Sequence, residues 1–597
     1  MWAAVAAWPL LLASLPPGPA FRLSGDVTPV KHTLNLSIDP GASAYEGEVV
    51  IEADLHKPTS IIWVNGRDLV PREARIAFGD VIHPAQIQPS GGEFLVLRCA
   101  APVGPGRVRI YIRFQARLDE KQVLGAYRRK VDGDWYAYTT FTPIEARKAF
   151  PCFDEPRFKT PWDITIRVPP GNLAFSNAPA IAETQDKYGW TSVHFATTPP
   201  LPAEVVAFAV GPFGVYEGAP AGEGTPVRVL TPRARAAEGQ AGAEATLEIL
   251  PRLEAYTGIP YPYGKLDHVA LPESAFGAVE NPGLITYLSR ELLTAPGPES
   301  RARTNAIRFL EAHEIAHQWF GDMVTQATWA DVWLSEGFAT WLSEKIMDQE
   351  QIPERAHLYA IASRERIMRL DGSSRARPVR VEVHDREGSK NIYNRMVYDK
   401  GASVLLMLEG WLGEAPVQKA ARTYLQEHRF GSATTADFAD DLKRASGTDP
   451  APVIHAFLDL TGIPRVSGRV KCEGPSENGA KLEIHISGPA PVPVCWRGPA
   501  SSKQCAVVDS SVREVGLSGC PAWTFLNAGG TGYYRSVWTA GQLSRLPLDQ
   551  LTAAERLTLA YDLRALKTDR PAAHAVLTRL ALDPEAEVAS AAKEALK

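Results

Sequence analysis

The sequence predicts a multidomain α+β protein, and three observations carry that reading. Its 597 residues exceed what a single core usually spans and suggest about four domains. Short apolar/polar alternations with period two fill the first third and return near the end. Between them the apolar residues recur at helical spacing.

Taken in order, residues 1–20 open with an apolar stretch from Trp2 to Leu15, followed by Pro16, Pro17, Gly18, Pro19 and Ala20, small enough for cleavage before Phe21. They read as a signal peptide, although no charged residue precedes Arg22. A secreted or periplasmic protein is expected, with a cytoplasmic one as the alternative. Residues 21–213 form an N-terminal β domain, with strands such as His32-Thr33-Leu34-Asn35-Leu36-Ser37-Ile38 and Arg107-Val108-Arg109-Ile110-Tyr111-Ile112 between Gly- and Pro-rich turns. Residues 214–462 are a helix-rich lobe, and 463–540 return to strands, as in Lys481-Leu482-Glu483-Ile484-His485-Ile486, giving a small β-sandwich. Residues 541–597 hold two or three amphipathic helices, in which Asp583-Pro584-Glu585-Ala586 resembles the turn of a helical repeat.

A net charge of −5 shows no basic excess, so a nucleic-acid partner is unsupported. No run of 18 apolar residues occurs beyond the first residues, and no stable transmembrane anchor is expected. Of six cysteines, Cys472, Cys495, Cys505 and Cys520 fall within the small β module, whereas Cys99 and Cys152 lie far upstream. The spacing is not that of a zinc ribbon. Two disulfides among the four are expected, with three pairings open and reduced buried thiols as the alternative.

Chemistry concentrates in His313-Glu314-Ile315-Ala316-His317. On a helix the two imidazoles, four residues apart, share one face and can converge on one metal ion, with Glu314 beside them as a proton acceptor. Eighteen residues then separate His317 from Glu336, enough to finish the first helix after Trp319, turn through Gly321-Asp322 and begin a second helix presenting Glu336. Two histidines, one glutamate and an open position make a catalytic zinc site, one Zn2+ per chain. Phe309, Leu310, Ile315, Ala316, Trp319 and Phe320 make the first helix largely apolar, and polar groups on a buried helix need a partner.

Several further stretches resemble the gluzincin aminopeptidases of peptidase family M1, the group of aminopeptidase N and leukotriene A4 hydrolase. Gly277-Ala278-Val279-Glu280-Asn281 is similar to the family's Gly-x-Met-Glu-Asn signature, with Val279 for Met. Tyr398-Asp399-Lys400-Gly401-Ala402 looks like its Tyr-x-Lys-Gly-Ala segment. Ala146-Arg147-Lys148-Ala149-Phe150-Pro151-Cys152-Phe153-Asp154-Glu155-Pro156 and Asn527-Ala528-Gly529-Gly530-Thr531-Gly532-Tyr533-Tyr534-Arg535 resemble two more of its motifs. The likeness runs over roughly residues 25 to 540.

The resemblance implies a thermolysin-like zinc catalytic domain at 214–462 and a zinc-dependent aminopeptidase acting on peptides with a free N-terminus. In that reading zinc-bound water attacks, Glu314 is the general base, and Tyr398 stabilises the oxyanion, with Tyr393 as a weaker rival. Glu280 binds the substrate ammonium, and Gly277, Ala278 and Asn281 run along the substrate as an added strand. Phe276, just before the loop, is expected to border the pocket for the first side chain. Many members carry amides or carboxylates where this chain has Thr140 and Thr142, so weaker holding of the N-terminus is expected. The tail is short for the family, implying a more open cleft or a second subunit, in a homo-oligomer, as its roof. An endopeptidase, suggested by the two threonines, and a non-catalytic scaffold, opposed by the intact Glu314, are the competing readings.

Overall fold

The computed structural model describes residues 18–295, 300–348, 353–472, 479–499, 502–566 and 570–597. The signal-peptide reading therefore lies outside the described residues except for its last three positions. Among the described residues no helix is long and apolar enough to cross a membrane.

The architecture is a multidomain α+β arrangement, with strands first, helices in the middle, a second β module and helices at the end. Alternation becomes sheet because side chains two apart share a face. Val49, Ile51 and Ala53 of strand Ala44–Leu55 lie opposite Ile112, Ile110 and Val108 of strand Gly106–Arg117, and all six are buried. These strands belong to a ten-stranded sheet. A four-stranded sheet also contains Asp134–Thr140, which leads into Thr142.

The helix-rich lobe is built on a five-stranded sheet ordered Phe213–Glu217, Val227–Pro232, Leu266–Leu271, Leu284–Leu288, Ala278–Val279. Its central strands are parallel and buried, as apolar runs covered on both faces should be. The last strand is an edge: Ala278 and Val279 pair with Tyr287 and Thr286 on one side only. Helix Arg301–Ala316, capped by the Ser300 hydroxyl accepting from the Arg303 amide, packs against helices Gln240–Thr257 and Trp333–Asp348. Phe320, just beyond the first helix, stacks on Phe338 of the last at 4.4 Å, and Phe438 closes the cluster at 4.9 Å from Phe338. Such ring pairs contribute about 1 kcal/mol each beyond their area and clamp the two helices together.

The second β module pairs a four-stranded with a three-stranded sheet. Cys472 bonds to Cys520 and Cys495 to Cys505, while Cys99 and Cys152 are buried free thiols. Helices Ala553–Arg564, Arg570–Leu580 and Ala586–Leu596 bury Leu557, Leu577 and Val588 in one cluster with Leu358 and Ile361 of helix Pro353–Asp371.

Three of the motif stretches supply internal struts. Arg147, fully buried, forks onto Asp154 (Nε–Oδ2 2.7 Å, Nη2–Oδ1 2.6 Å) and reaches Glu93 at 2.9 Å. Lys400 donates to Asp371 Oδ2 at 2.9 Å and to the Leu460 carbonyl at 3.0 Å, and the Tyr533 hydroxyl donates to the same Asp371 oxygen at 3.1 Å. The Gly-Tyr-Tyr-Arg segment, which leads into strand Arg535–Val537 of the second β module, is thereby tied to the turn that carries Tyr398. Breaking such a buried pair from one side typically costs about 3–5 kcal/mol, because a charge is left without a partner.

Candidate active site

Helix Arg301–Ala316 ends three residues earlier than the spacing predicts. His317 keeps its bond to the His313 carbonyl (3.3 Å), but Gln318 and Trp319 bond three residues back, tightening the last turn before Gly321. Gly321 sits at φ +125°, and a Cβ there would meet the Ser335 hydroxyl at 2.2 Å and His317 Nδ1 at 3.2 Å. Only glycine lets the chain turn this close to the histidine.

The turn places three ligand atoms together. Nε2 of His313 and His317 are 3.1 Å apart, and Glu336 Oε2 lies 3.4 Å from the first and 3.3 Å from the second. His317 Nδ1 donates to the Phe320 carbonyl at 3.1 Å, with the Ser335 hydroxyl at 2.9 Å, which leaves the Nε2 lone pair free. Oε2 of Glu336 is buried without a hydrogen bond. Lone pairs facing one another at this range repel unless a cation lies among them. Burial pushes the His317 imidazole down, but Glu280, Glu336 and Glu314 outweigh it and push it up to about 10. Against burial, His317 and His313 hold Glu336 down to about 2. The pocket calls for positive charge between two neutral nitrogens and a carboxylate, and that donor set fits zinc.

Around the triad stand the other predicted groups. Oxygens of Glu280 and Glu314 and a nitrogen of His317 all lie within 4.8 Å of one another. Burial, reinforced by Glu280 and Glu336 though opposed by His317, raises Glu314 well above the usual carboxylate range. The Tyr398 ring stacks on His313 at 6.0 Å, and it sits in a single π-helical turn, Met396–Lys400, rather than at the start of a regular helix. Burial and the negative charge of Glu336 and Glu280 raise its phenol well above 10. Tyr393 also lines the site, packed edge-to-face on Phe276 at 6.1 Å.

All of these border one cavity of about 760 Å³, walled by Thr142, Phe276, Gly277, Ala278 and Glu280 on one side and by Phe309, Leu310 and Tyr359 among others. Thr140 and Asn281 are buried and do not line it. Gln318, which the sequence reading passed over, holds the Glu280 loop: its Nε2 donates to the Glu280 carbonyl at 2.7 Å and to Asp322 at 2.9 Å. Its Oε1 accepts from the Gly283 amide at 3.2 Å and the Tyr261 hydroxyl at 3.0 Å. Lys265 adds a bond to the Gly283 carbonyl at 2.6 Å. A glutamine beside the second histidine of the motif, in an apolar stretch, was the available signal.

Comparison with known proteins matches residues 28–204 to the peptidase M1 N-terminal domain and 242–459 to the peptidase family M1 domain. The chain belongs to peptidase family M1. It is 31% identical to rice aminopeptidase M1-A, over 91% of this chain and 65% of that protein. It is 29% identical to Arabidopsis thaliana aminopeptidase M1, over 94% and 67%, and 28% identical to the Caenorhabditis elegans puromycin-sensitive aminopeptidase, over 91% and 60%. The chain thus spans about two thirds of the length of these relatives.

In this M1 chain the Glu336 and Tyr398 elements touch through glycines. A Cβ on Gly337 would lie 3.1 Å from the Gly401 Cα, and one on Gly401 3.1 Å from the Gly337 Cα. A Gly337→Ala variant is expected to lose about 1–3 kcal/mol of stability by forcing the helices apart. Thermal unfolding should show a lowered midpoint with a retained transition; an unchanged midpoint would mean the contact is slack.

Proposed function

We propose that this protein is a zinc aminopeptidase that removes the first residue from peptides bearing a free N-terminus. The observation that carries the reading is the convergence of His313, His317 and Glu336, with Glu314 and Glu280 within reach, on the wall of one cavity. His313, His317 and Glu336 would hold one zinc ion. Bound there, zinc supplies a Lewis acid that acidifies water and polarises the scissile carbonyl.

The chain's own groups divide the remaining work. Glu314 takes the proton from the attacking water and passes it to the departing amine, a task suited to a carboxylate whose affinity for protons is raised, as burial and its acidic neighbours Glu280 and Glu336 raise it here. The Tyr398 hydroxyl, its proton held firmly, donates a hydrogen bond to the oxyanion of the tetrahedral species. Glu280 takes the substrate's ammonium, which separates a chain end from an internal bond. The unpaired side of Ala278–Val279 offers backbone groups along an extended peptide, and Phe276 with Tyr393 bounds the space for the first side chain. The pairing of Cys472 with Cys520 and Cys495 with Cys505 suits an oxidising compartment and supports the secreted reading.

The test is hydrolysis of aminoacyl-coumarin amides beside their N-acetylated forms, with and without a chelator. Cleavage of the free amines alone, abolished by the chelator and restored by zinc, is the expected result. Equal cleavage of both series would point instead to an endopeptidase, and no cleavage of either to a scaffold.

A further inference from the structure

The Gln318 amide joins the two halves of this site. Its orientation is forced, because the Glu280 carbonyl can only accept and the Gly283 amide can only donate: Nε2 faces the first at 2.7 Å and Oε1 the second at 3.2 Å. The remaining proton goes to Asp322 Oδ2 at 2.9 Å, and the remaining lone pair takes the Tyr261 hydroxyl at 3.0 Å. Gln318 is fully buried, and all four of its hydrogen-bonding positions are filled by protein groups. Its partners are themselves fastened. On the metal side the Asp322 amide donates to the His317 carbonyl at 3.0 Å. Lys159 of the N-terminal β domain donates to the carbonyls of Asp322, Met323 and Gly431 at 2.8, 2.9 and 3.0 Å. On the loop side the Asn177 side-chain amide donates to the Pro282 carbonyl at 2.9 Å.

We propose that Gln318 is the positioning residue that holds the ammonium acceptor Glu280 one residue's length from the metal-binding triad and so confines cleavage to the first peptide bond. Gln318 directly follows the ligand His317, so the groups its amide grips are set relative to the metal rather than to the sheet. The sheet cannot do this alone, since Ala278–Val279 is an edge paired on one side only. An extended residue spans about 3.3 Å. A Glu280 loop free to drift by that length would offer its carboxylate to an ammonium one residue further from the scissile bond, and exopeptidase selection would blur. Gripping both the Glu280 carbonyl and the Gly283 amide removes that freedom, and it takes a side chain with donors and acceptors on one planar group. Methionine has the same reach but supplies neither, and would leave buried backbone groups at both ends of the loop without partners.

This role rests on the aminopeptidase reading and is tested with Gln318→Met and with Tyr261→Phe, which removes one of the four bonds and leaves the Glu280 contact in place. Each is compared with Glu280→Gln in KM and kcat for leucyl-coumarin amide, the rate on its N-acetylated form, zinc content, and the inhibition constants of leucinamide and its des-amino analogue, isocaproamide. For Gln318→Met the expected result is a rise of on the order of tenfold in KM and in the leucinamide constant, with kcat changed by less than about threefold. Zinc content and isocaproamide binding stay as in the wild type, and the preference for free over acetylated amines narrows. Tyr261→Phe moves the same quantities in the same direction by less. Because the amide acts through Glu280, adding either substitution to Glu280→Gln should weaken leucinamide no further, whereas a packing defect would add its own loss. Additive losses in the double variants, equal weakening of leucinamide and isocaproamide, or no change in either single variant overturns the proposal and leaves the aminopeptidase reading intact. If Gln318→Met does not fold, Tyr261→Phe and its double variant decide by the same comparison. If the wild type cleaves N-acetylated substrates as fast as free amines, the aminopeptidase reading fails and the proposal with it.

Discussion

Replacing Glu314 by glutamine is expected to lower kcat by on the order of 10²–10⁴-fold while leaving metal and substrate binding in place. The size follows from its position. Glu314 lies one residue after His313 on the same helix, 5% exposed, with its carboxylate among Glu280 and His317. Glutamine preserves volume and one acceptor oxygen but accepts no proton at any working pH, so what is lost is the transfer itself. Because the amide does not ligate, metal content by elemental analysis should match the wild type, and KM should move by less than about threefold. A kcat within about tenfold of the wild type would remove Glu314 from the role of base and leave another carboxylate, Glu280 first, to be examined.

The second large effect is expected at Glu336→Gln, measured as metal content and as the zinc-dependent rise in melting temperature. Two imidazoles alone are a poor catalytic zinc site, and the amide removes the anion that neutralises part of the metal's charge. Outer-shell changes at such sites already cost about 10–100-fold in metal affinity, so loss of a ligand should exceed that. A ligand present at a thousandfold excess over its dissociation constant adds about 4 kcal/mol of stability, and most of that increment should vanish in the variant. Retained stoichiometric zinc with wild-type stabilisation would mean that the metal sits elsewhere, with Glu280, Glu314 and His317 as the other acidic grouping of the pocket.

Much of this site was legible because it is local. His313, Glu314 and His317 share a helical face by spacing alone, and the structure holds their side chains together through a single turn. Glu280 and Tyr398 were legible only through motif likeness, since nothing in the composition around them says which way a loop or turn faces. Gln318 was half legible: its place beside His317 was plain, but its hold on the Glu280 carbonyl requires the edge strand Ala278–Val279 to run past the helix. Thr140 and Thr142 looked alike in sequence, two residues apart in a strand-like stretch, and the structure separates them. The strand ends at Thr140, which stays buried, while Thr142 reaches the cavity.

The sequence by itself determined the α+β class, the period-two strands, the helix that carries the two histidines and the chemistry that two imidazoles and a carboxylate can perform. Those properties depend on the identity and spacing of near neighbours, which backbone geometry converts directly into shared faces. Only the tertiary structure decided the disulfide pairing, the Lys400–Asp371–Tyr533 strut and the meeting of Gly337 with Gly401. Each of these joins residues far apart along the chain, and their encounter is set by how sheets and helices pack, a sum over many weak contacts that no single stretch encodes.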